Sequence, residues 1–143
     1  MNLLALDYGT VRVGVAFADA STGVAIPLPY LKAYPWIDFV NRLQEILRER
    51  AVCEIIVGVP RNMNGSYGES AQKAQEFILR LREVLTLPIH EIDERWTTSM
   101  AARQLRDLGL RSKEHKRHID SAAAVNILQT YLDWRTFRDH DFS

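Results

Sequence analysis

Two apolar runs open the chain, Leu3–Asp7 and Arg12–Ala18, rich in Val, Leu and Ala and separated by a turn containing Gly9 and Thr10. That pattern predicts an antiparallel hairpin. Val24–Leu31 contains Pro27 and Pro29, which confine a strand to the edge of a sheet. From Trp36 to Arg50 apolar residues fall at 36, 39, 40, 43, 46 and 47, the spacing of a helix with one apolar face. Glu54–Val59 is a continuous apolar run, as in a strand covered on both sides. Ser66 and Glu69 have the spacing of a capping box, ahead of the stripe Ala71, Ala74, Ile78, Leu81 and Leu85. Pro88–Asp93 reads as a short strand. Thr97 or Thr98 caps a further helix that runs to about Leu108 and closes at Gly109. A final helix is predicted from Lys116 to Leu132, followed by a polar tail with scattered aromatics and loose attachment.

Strands followed by alternating helix and strand describe an α/β sheet with helices on its faces. A chain of 143 residues has the size of one domain, here expected over residues 1–135 with a polar tail at 136–143. Its 47% hydrophobic and 25% charged residues are those of an ordinary globular protein. The single cysteine, Cys53, excludes an internal disulfide, and its apolar neighbours predict a buried thiol in a reducing compartment. The first apolar stretch stops at Asp7, too short for a signal peptide or a membrane span. A cytoplasmic protein without a membrane partner is the expectation.

A formal net charge of zero gives no global attraction to nucleic acid. The distribution is less even. Between Arg103 and His118 stand six basic residues (Arg103, Arg106, Arg111, Lys113, Lys116, Arg117) and two acidic ones (Asp107, Glu114), a local excess of four positive charges. Alone, such a block is a solvated surface.

The acidic residues carry more information, because three groups of them fall at element ends. Asp7 closes the first strand, Asp93 and Glu94 close "PIHEIDE", and Asp120 lies early on the last helix. Sites in open α/β sheets form at the carboxyl ends of strands. Asp120 is expected to share a side with Ala123, Ala124, Ile127 and Tyr131, the alanines letting the helix approach the sheet closely. Converging carboxylates repel one another unless a cation sits among them. Mg²⁺ and Mn²⁺ prefer such oxygen donors. Two such ions about 3.5–4 Å apart support in-line attack of water on a phosphodiester. The four histidines and one cysteine make no zinc spacing. Plainer roles exist for each group: Asp7 as a turn residue, Asp120 as a helix-start residue, Glu94 as a surface partner of Arg95 or Arg12.

The segments "LDYGTVRVGVA" (6–16), "IIVGVPRNMNGS" (55–66), "DERWTT" (93–98) and "HIDSAAAVNILQTYL" (118–132) stand in one order along nearly the whole chain to Leu132. Together they resemble the YqgF family of Holliday-junction-resolvase-like nucleases linked to pre-16S ribosomal RNA processing. The resemblance implies an RNase H-like fold, with a mixed central sheet of an N-terminal antiparallel hairpin plus parallel strands, flanked by helices. It also implies a nuclease dependent on Mg²⁺ or Mn²⁺, with Asp7, Glu94 and Asp120 as catalytic and metal-holding residues and Asp93 as a neighbour to test. Arg12 matches a motif arginine suited to phosphate or to the carboxylates. With that reading, Arg95, Thr97, Thr98, Arg111, Lys113, Lys116 and Arg117 become expected contacts to a nucleic-acid backbone. The loop "NMNGSYGES" becomes a candidate flank of the site, and Trp96 departs from the leucine usual in the family.

The implied partner is structured RNA such as a ribosomal precursor, or branched DNA, bound by a monomer or a homodimer. Symmetric resolution of a four-way junction needs two sites and hence a dimer. Two other classes remain open. "DYGT" also resembles a phosphate loop of the actin, Hsp70 and sugar-kinase superfamily, which needs a second domain that 143 residues do not supply. A non-catalytic nucleic-acid-binding module in transcription or ribosome assembly would use the basic segment and need no metal.

Overall fold

The computed structural model describes residues 1–60, 64, 66–94 and 121–141. The apolar runs at the start form the expected hairpin, strand β1 (Asn2–Asp7) pairing antiparallel with β2 (Arg12–Asp19), so that Asp7 lies opposite Gly14. Strand β3 (Ile26–Lys32) adds antiparallel to β2 and forms one edge, where its two prolines cost no ladder hydrogen bonds inside the sheet. Strands β4 (Val52–Val59) and β5 (Ile89–Asp93) then add in parallel on the other side of β1. The order across the sheet is β3-β2-β1-β4-β5. The carboxyl ends of β1, β4 and β5 therefore lie at one end of the sheet, and β2, running the other way, starts there.

Alternation along the strands sorts the side chains into two cores. Leu4, Leu6, Val13, Val15, Ile55 and Val57 face helices α1 (Trp36–Glu49) and α2 (Glu69–Val84), meeting Phe39, Leu43 and Leu47 from the first and Ala74, Phe77, Ile78 and Leu81 from the second. Each of these large side chains contributes roughly 1.5–3 kcal/mol by leaving water. Leu3, Ala5, Ala16, Ala18 and Ile56 face the last described helix, α3 (Ala122–Asp141). Small residues predominate on that face of the sheet, and α3 answers with Ala124, Ile127 and Leu128. No helix among the described residues is long and apolar enough to cross a membrane.

Four local expectations are corrected. Ser66 does not cap α2: its hydroxyl and its N–H both donate to Asn64 Oδ1, at 2.7 and 3.0 Å, and the helix starts from Gly68 without a side-chain cap. The serine is consumed by a local turn of the kind that competes with caps. Ala123 is exposed, and Ala122, Ala124 and Val125 are the buried residues at the start of α3. The last helix continues beyond Leu132 to Asp141. Cys53 is half-buried rather than buried, with its thiol donating to the Asn2 carbonyl at 3.2 Å. The predicted helix from Thr97 to Leu108 lies outside the described residues.

Candidate active site

Asp7 is the last residue of β1, and the alternation that sends Leu6 towards α1 and α2 turns Asp7 to the α3 side with Leu3 and Ala5. Tyr8 follows on the other side, packed on Phe77 of α2 with ring centroids 4.7 Å apart. That contact pins the start of the turn. Gly9 lets the turn close: a Cβ there would stand 2.5 Å from the Arg12 carbonyl oxygen.

Glu94 comes immediately after β5, whose last residue, Asp93, pairs with Val59 of β4. Between β1 and β5 runs β4, so Asp7 and Glu94 stand two strands apart and their carboxyl groups meet only if nothing intervenes. Gly58 makes the gap. It lies beside Ile92 in the ladder, on the same side of β4 as Ile56. A Cβ on Gly58 would fall 2.6 Å from Glu94 Oε1, 2.8 Å from Glu94 Cγ and 2.5 Å from Ile127 Cδ1 of α3. Glu94 therefore reaches across the glycine, under Ile127, and hydrogen-bonds the Asp7 carboxyl group.

Two carboxyl groups in contact cannot both be ionised cheaply. Burial raises the Glu94 pKa most, followed by the charge of Asp7, the hydrogen bond between the two and the charge of Asp93, together to about 8. Asp7 is raised as well by burial, and the hydrogen bond from Glu94 works against that rise. The shared hydrogen bond raises Glu94 and lowers Asp7, so of the two it is Glu94 that holds the proton more tightly and donates to Asp7. A carboxylate pair of this kind, with oxygen donors only, is an arrangement a hard divalent cation would relieve by replacing the proton.

Of the other expected site residues, Arg12 stands at the start of β2 with its guanidinium 5.1 Å from the centre of the Tyr30 ring. Asp93 lies next to Glu94 and contributes to its raised pKa. Asp120, Arg95, Thr97, Thr98, Arg111, Lys113, Lys116 and Arg117 lie outside the described residues, as does part of the loop "NMNGSYGES". Among the described residues no group of three or more His, Cys, Asp or Glu could hold a metal ion.

Two features of the site region escaped the sequence reading. Gly58 reads there only as part of an apolar strand, although a glycine inside such a run is a sign of close approach. Ser121 carries no mark of its role in the sequence. It is fully buried, accepts from the Val15 N–H at 3.0 Å and donates to the Leu28 carbonyl at 2.6 Å. Those are the groups flanking the register shift between β2 and β3, so the serine completes the ladder where the strands slip. The residue that follows Asp120 is thereby tied to β2, next to the glycine that pairs with Asp7.

Comparison with known proteins places these observations in a family. The model of the RuvX family, described as Holliday junction resolvase, matches residues 1–134. A Chloroflexus aurantiacus protein described as "Putative pre-16S rRNA nuclease" is 40% identical over 133 residues, 93% of this chain and 87% of that protein. One from Mycobacteroides abscessus with the same description is 40% identical over 92% of this chain and 81% of its own. Among solved structures, Thermus thermophilus RuvC aligns with a TM-score of 0.55 at 16% identity, covering 96% of this chain and 97% of that one. The Fowlpox virus resolvase, solved with Holliday junction DNA, aligns with a TM-score of 0.57 at 10% identity, covering 94% and 99%. At such identities the structural likeness concerns the fold, which is the RNase H-like arrangement of a mixed five-stranded sheet with flanking helices.

Proposed function

The chain belongs to the RuvX family, and from that premise we propose that it is a hydrolase that cuts phosphodiester bonds of nucleic acid, dependent on Mg²⁺ or Mn²⁺. The substrate we assign is the precursor of 16S ribosomal RNA, trimmed at its 5′ end during ribosome biogenesis in the cytoplasm, in line with the description of relatives 40% identical. One observation carries the reading. Asp7 and Glu94, from different strands, share a half-buried hydrogen bond across Gly58 at the carboxyl ends of the parallel strands β1, β4 and β5.

The pair fits a divalent cation: its donors are all carboxyl oxygens, and both pKa values are raised. Asp7, Glu94 and Asp120 would hold the metal, with Asp93 beside them. When bound, the cation supplies Lewis-acid polarisation of the scissile phosphate and an acidified water. The protein's own share is positional. Gly58 and Ile127 fix the side chain of Glu94, Tyr8 and Gly9 fix the turn after Asp7, and Ser121 holds the chain next to Asp120. Holding the cation would displace the proton shared by Asp7 and Glu94 to solvent, and the acidity of a cation-bound water would make a separate protein base unnecessary. Arg12, Arg95, Thr97, Thr98, Arg111, Lys113, Lys116 and Arg117 would contact the phosphate backbone, which lends affinity without reading sequence.

Cleavage of a single RNA bond needs one site, so a monomer suffices for this substrate. A four-way DNA junction, the substrate named by the family description, needs two sites and a homodimer. The test offers a 16S precursor fragment and a four-way DNA junction to the same preparation, with Mg²⁺, with Mn²⁺ and with chelator. Cut RNA in either metal, none with chelator, and none from the Asp7→Asn and Asp120→Asn variants is the expected result. Turnover retained in both variants, or in chelator, contradicts the assignment.

A further inference from the structure

At the same end of the sheet as the carboxyl pair, but on the α1 side, a cavity of about 920 Å³ opens between the start of β2, the end of β3 and the first turns of α1. Arg12, Lys32 and Arg42 stand in its wall, with Asp38 as the acidic residue among them. The formal net charge of the whole chain is zero, so this cationic excess is a local feature. Two tyrosine rings accompany it. Tyr30 lies beneath the Arg12 guanidinium, and Tyr34 projects into water with 67% of its surface exposed.

An exposed ring flanked by cations matches the chemistry of an unpaired nucleic acid, whose bases offer flat faces while its phosphates offer charge. A duplex keeps those faces stacked inside and cannot present them to a tyrosine. The volume is at the upper end of the roughly 300–1,000 Å³ of ligand pockets, room for a short single strand. The position also fits. Arg12 lies two residues along β2 from Gly14, the partner of Asp7, which is roughly 6–7 Å of strand. A strand lying against Asp7 reaches the cavity by passing over that end of the sheet, from the α3 side to the α1 side.

We propose that this cavity binds a single-stranded RNA segment flanking the bond to be cut, with phosphates on Arg12, Lys32 and Arg42 and a base stacked on Tyr34. The inference rests on the nuclease reading for its substrate, but binding is measurable without turnover. Fluorescence anisotropy of a short single-stranded RNA, in an Asp7→Asn background, reads it directly. Tyr34→Ala is expected to weaken binding roughly tenfold, the effect of losing about one stacked base, and Tyr34→Phe to restore it. Lys32→Ala with Arg42→Ala is expected to reduce the dependence of log K on log salt by about 1.4, the effect of two phosphate contacts on a single strand. A hairpin duplex should bind equally to all these proteins.

Unchanged RNA affinity in the tyrosine and double variants overturns the proposal. So does an equal loss on the duplex, or a single-stranded DNA of the same sequence binding more tightly than the RNA. Failure of the wild-type protein to cut any nucleic acid would instead sink the nuclease reading, and leaves these affinities to decide the cavity separately.

Discussion

Gly58 is where one missing side chain decides what two others can do. Its ladder neighbours are fixed by the parallel register, and Glu94 occupies the space a Cβ would take. In Gly58→Ala the new methyl group meets Glu94 Oε1, Glu94 Cγ and Ile127 Cδ1, all side-chain atoms, so the backbone can stay while the Glu94 side chain, and with it the carboxyl pair, must move. Cleavage is expected to fall roughly a hundredfold, as for a displacement of about 1 Å at a reacting centre, with the melting temperature lowered only slightly. Full activity in that variant would contradict the role of the glycine. The carboxyl pair itself makes a pH prediction. Glu94 is held at about 8 in the folded chain against 4.5 in the unfolded one, and Asp7 is raised too. The native state therefore binds more protons than the unfolded state between those limits, and stability falls as pH rises through that window. In chelator, the melting temperature should decline from pH 5 to pH 8 and level off above, and Glu94→Gln should flatten the decline. A rise over the same range would mean that the carboxyl groups do not share a proton.

At the scale of elements, α3 is fastened to the sheet by polar as well as apolar contacts. Ser121 bridges the slipped register of β2 and β3, and eight residues on, Gln129 accepts from the Ala25 N–H at 3.1 Å and donates to the Gly23 carbonyl at 2.9 Å. Ser121→Ala leaves a buried N–H and a carbonyl without that hydroxyl, a cost of about 1–3 kcal/mol. Its melting temperature should drop by several degrees, and cleavage should fall further than stability alone explains, because residue 120 loses its neighbouring anchor. An unchanged melting temperature would show that the bridge contributes nothing. The strands and helices were largely legible beforehand, since alternation in β1 and β2 and the 3.6-residue stripe of α1 each dictate one buried face. Cap chemistry was less so: Ser66 had two possible partners, and the nearer one, Asn64, took it. The buried face of α3 differs from the expected one at Ala123, because a run of three alanines carries no polar mark to orient it.

Across the whole molecule, the order β3-β2-β1-β4-β5 turns residues 87 positions apart in the chain, Asp7 and Glu94, into hydrogen-bonded neighbours. The presence of acidic residues at strand ends was readable from the sequence, and so was their likeness to a nuclease family. Their contact was not, because it depends on which strand lies between them and on that strand offering a glycine. Arg12 was readable as a motif residue, whereas the cavity beside it draws on β2, β3 and α1 together, and only the folded chain assembles them. The central claim is that Asp7 and Glu94 form a cation site whose proton is replaced on binding. Calorimetric titration of Mn²⁺ at pH 7, repeated in buffers of different ionisation enthalpy, counts that proton. Wild-type protein should release close to one proton per site occupied, and Glu94→Gln should bind more weakly and release almost none. Binding of equal strength in both proteins, with no proton released by either, would contradict it.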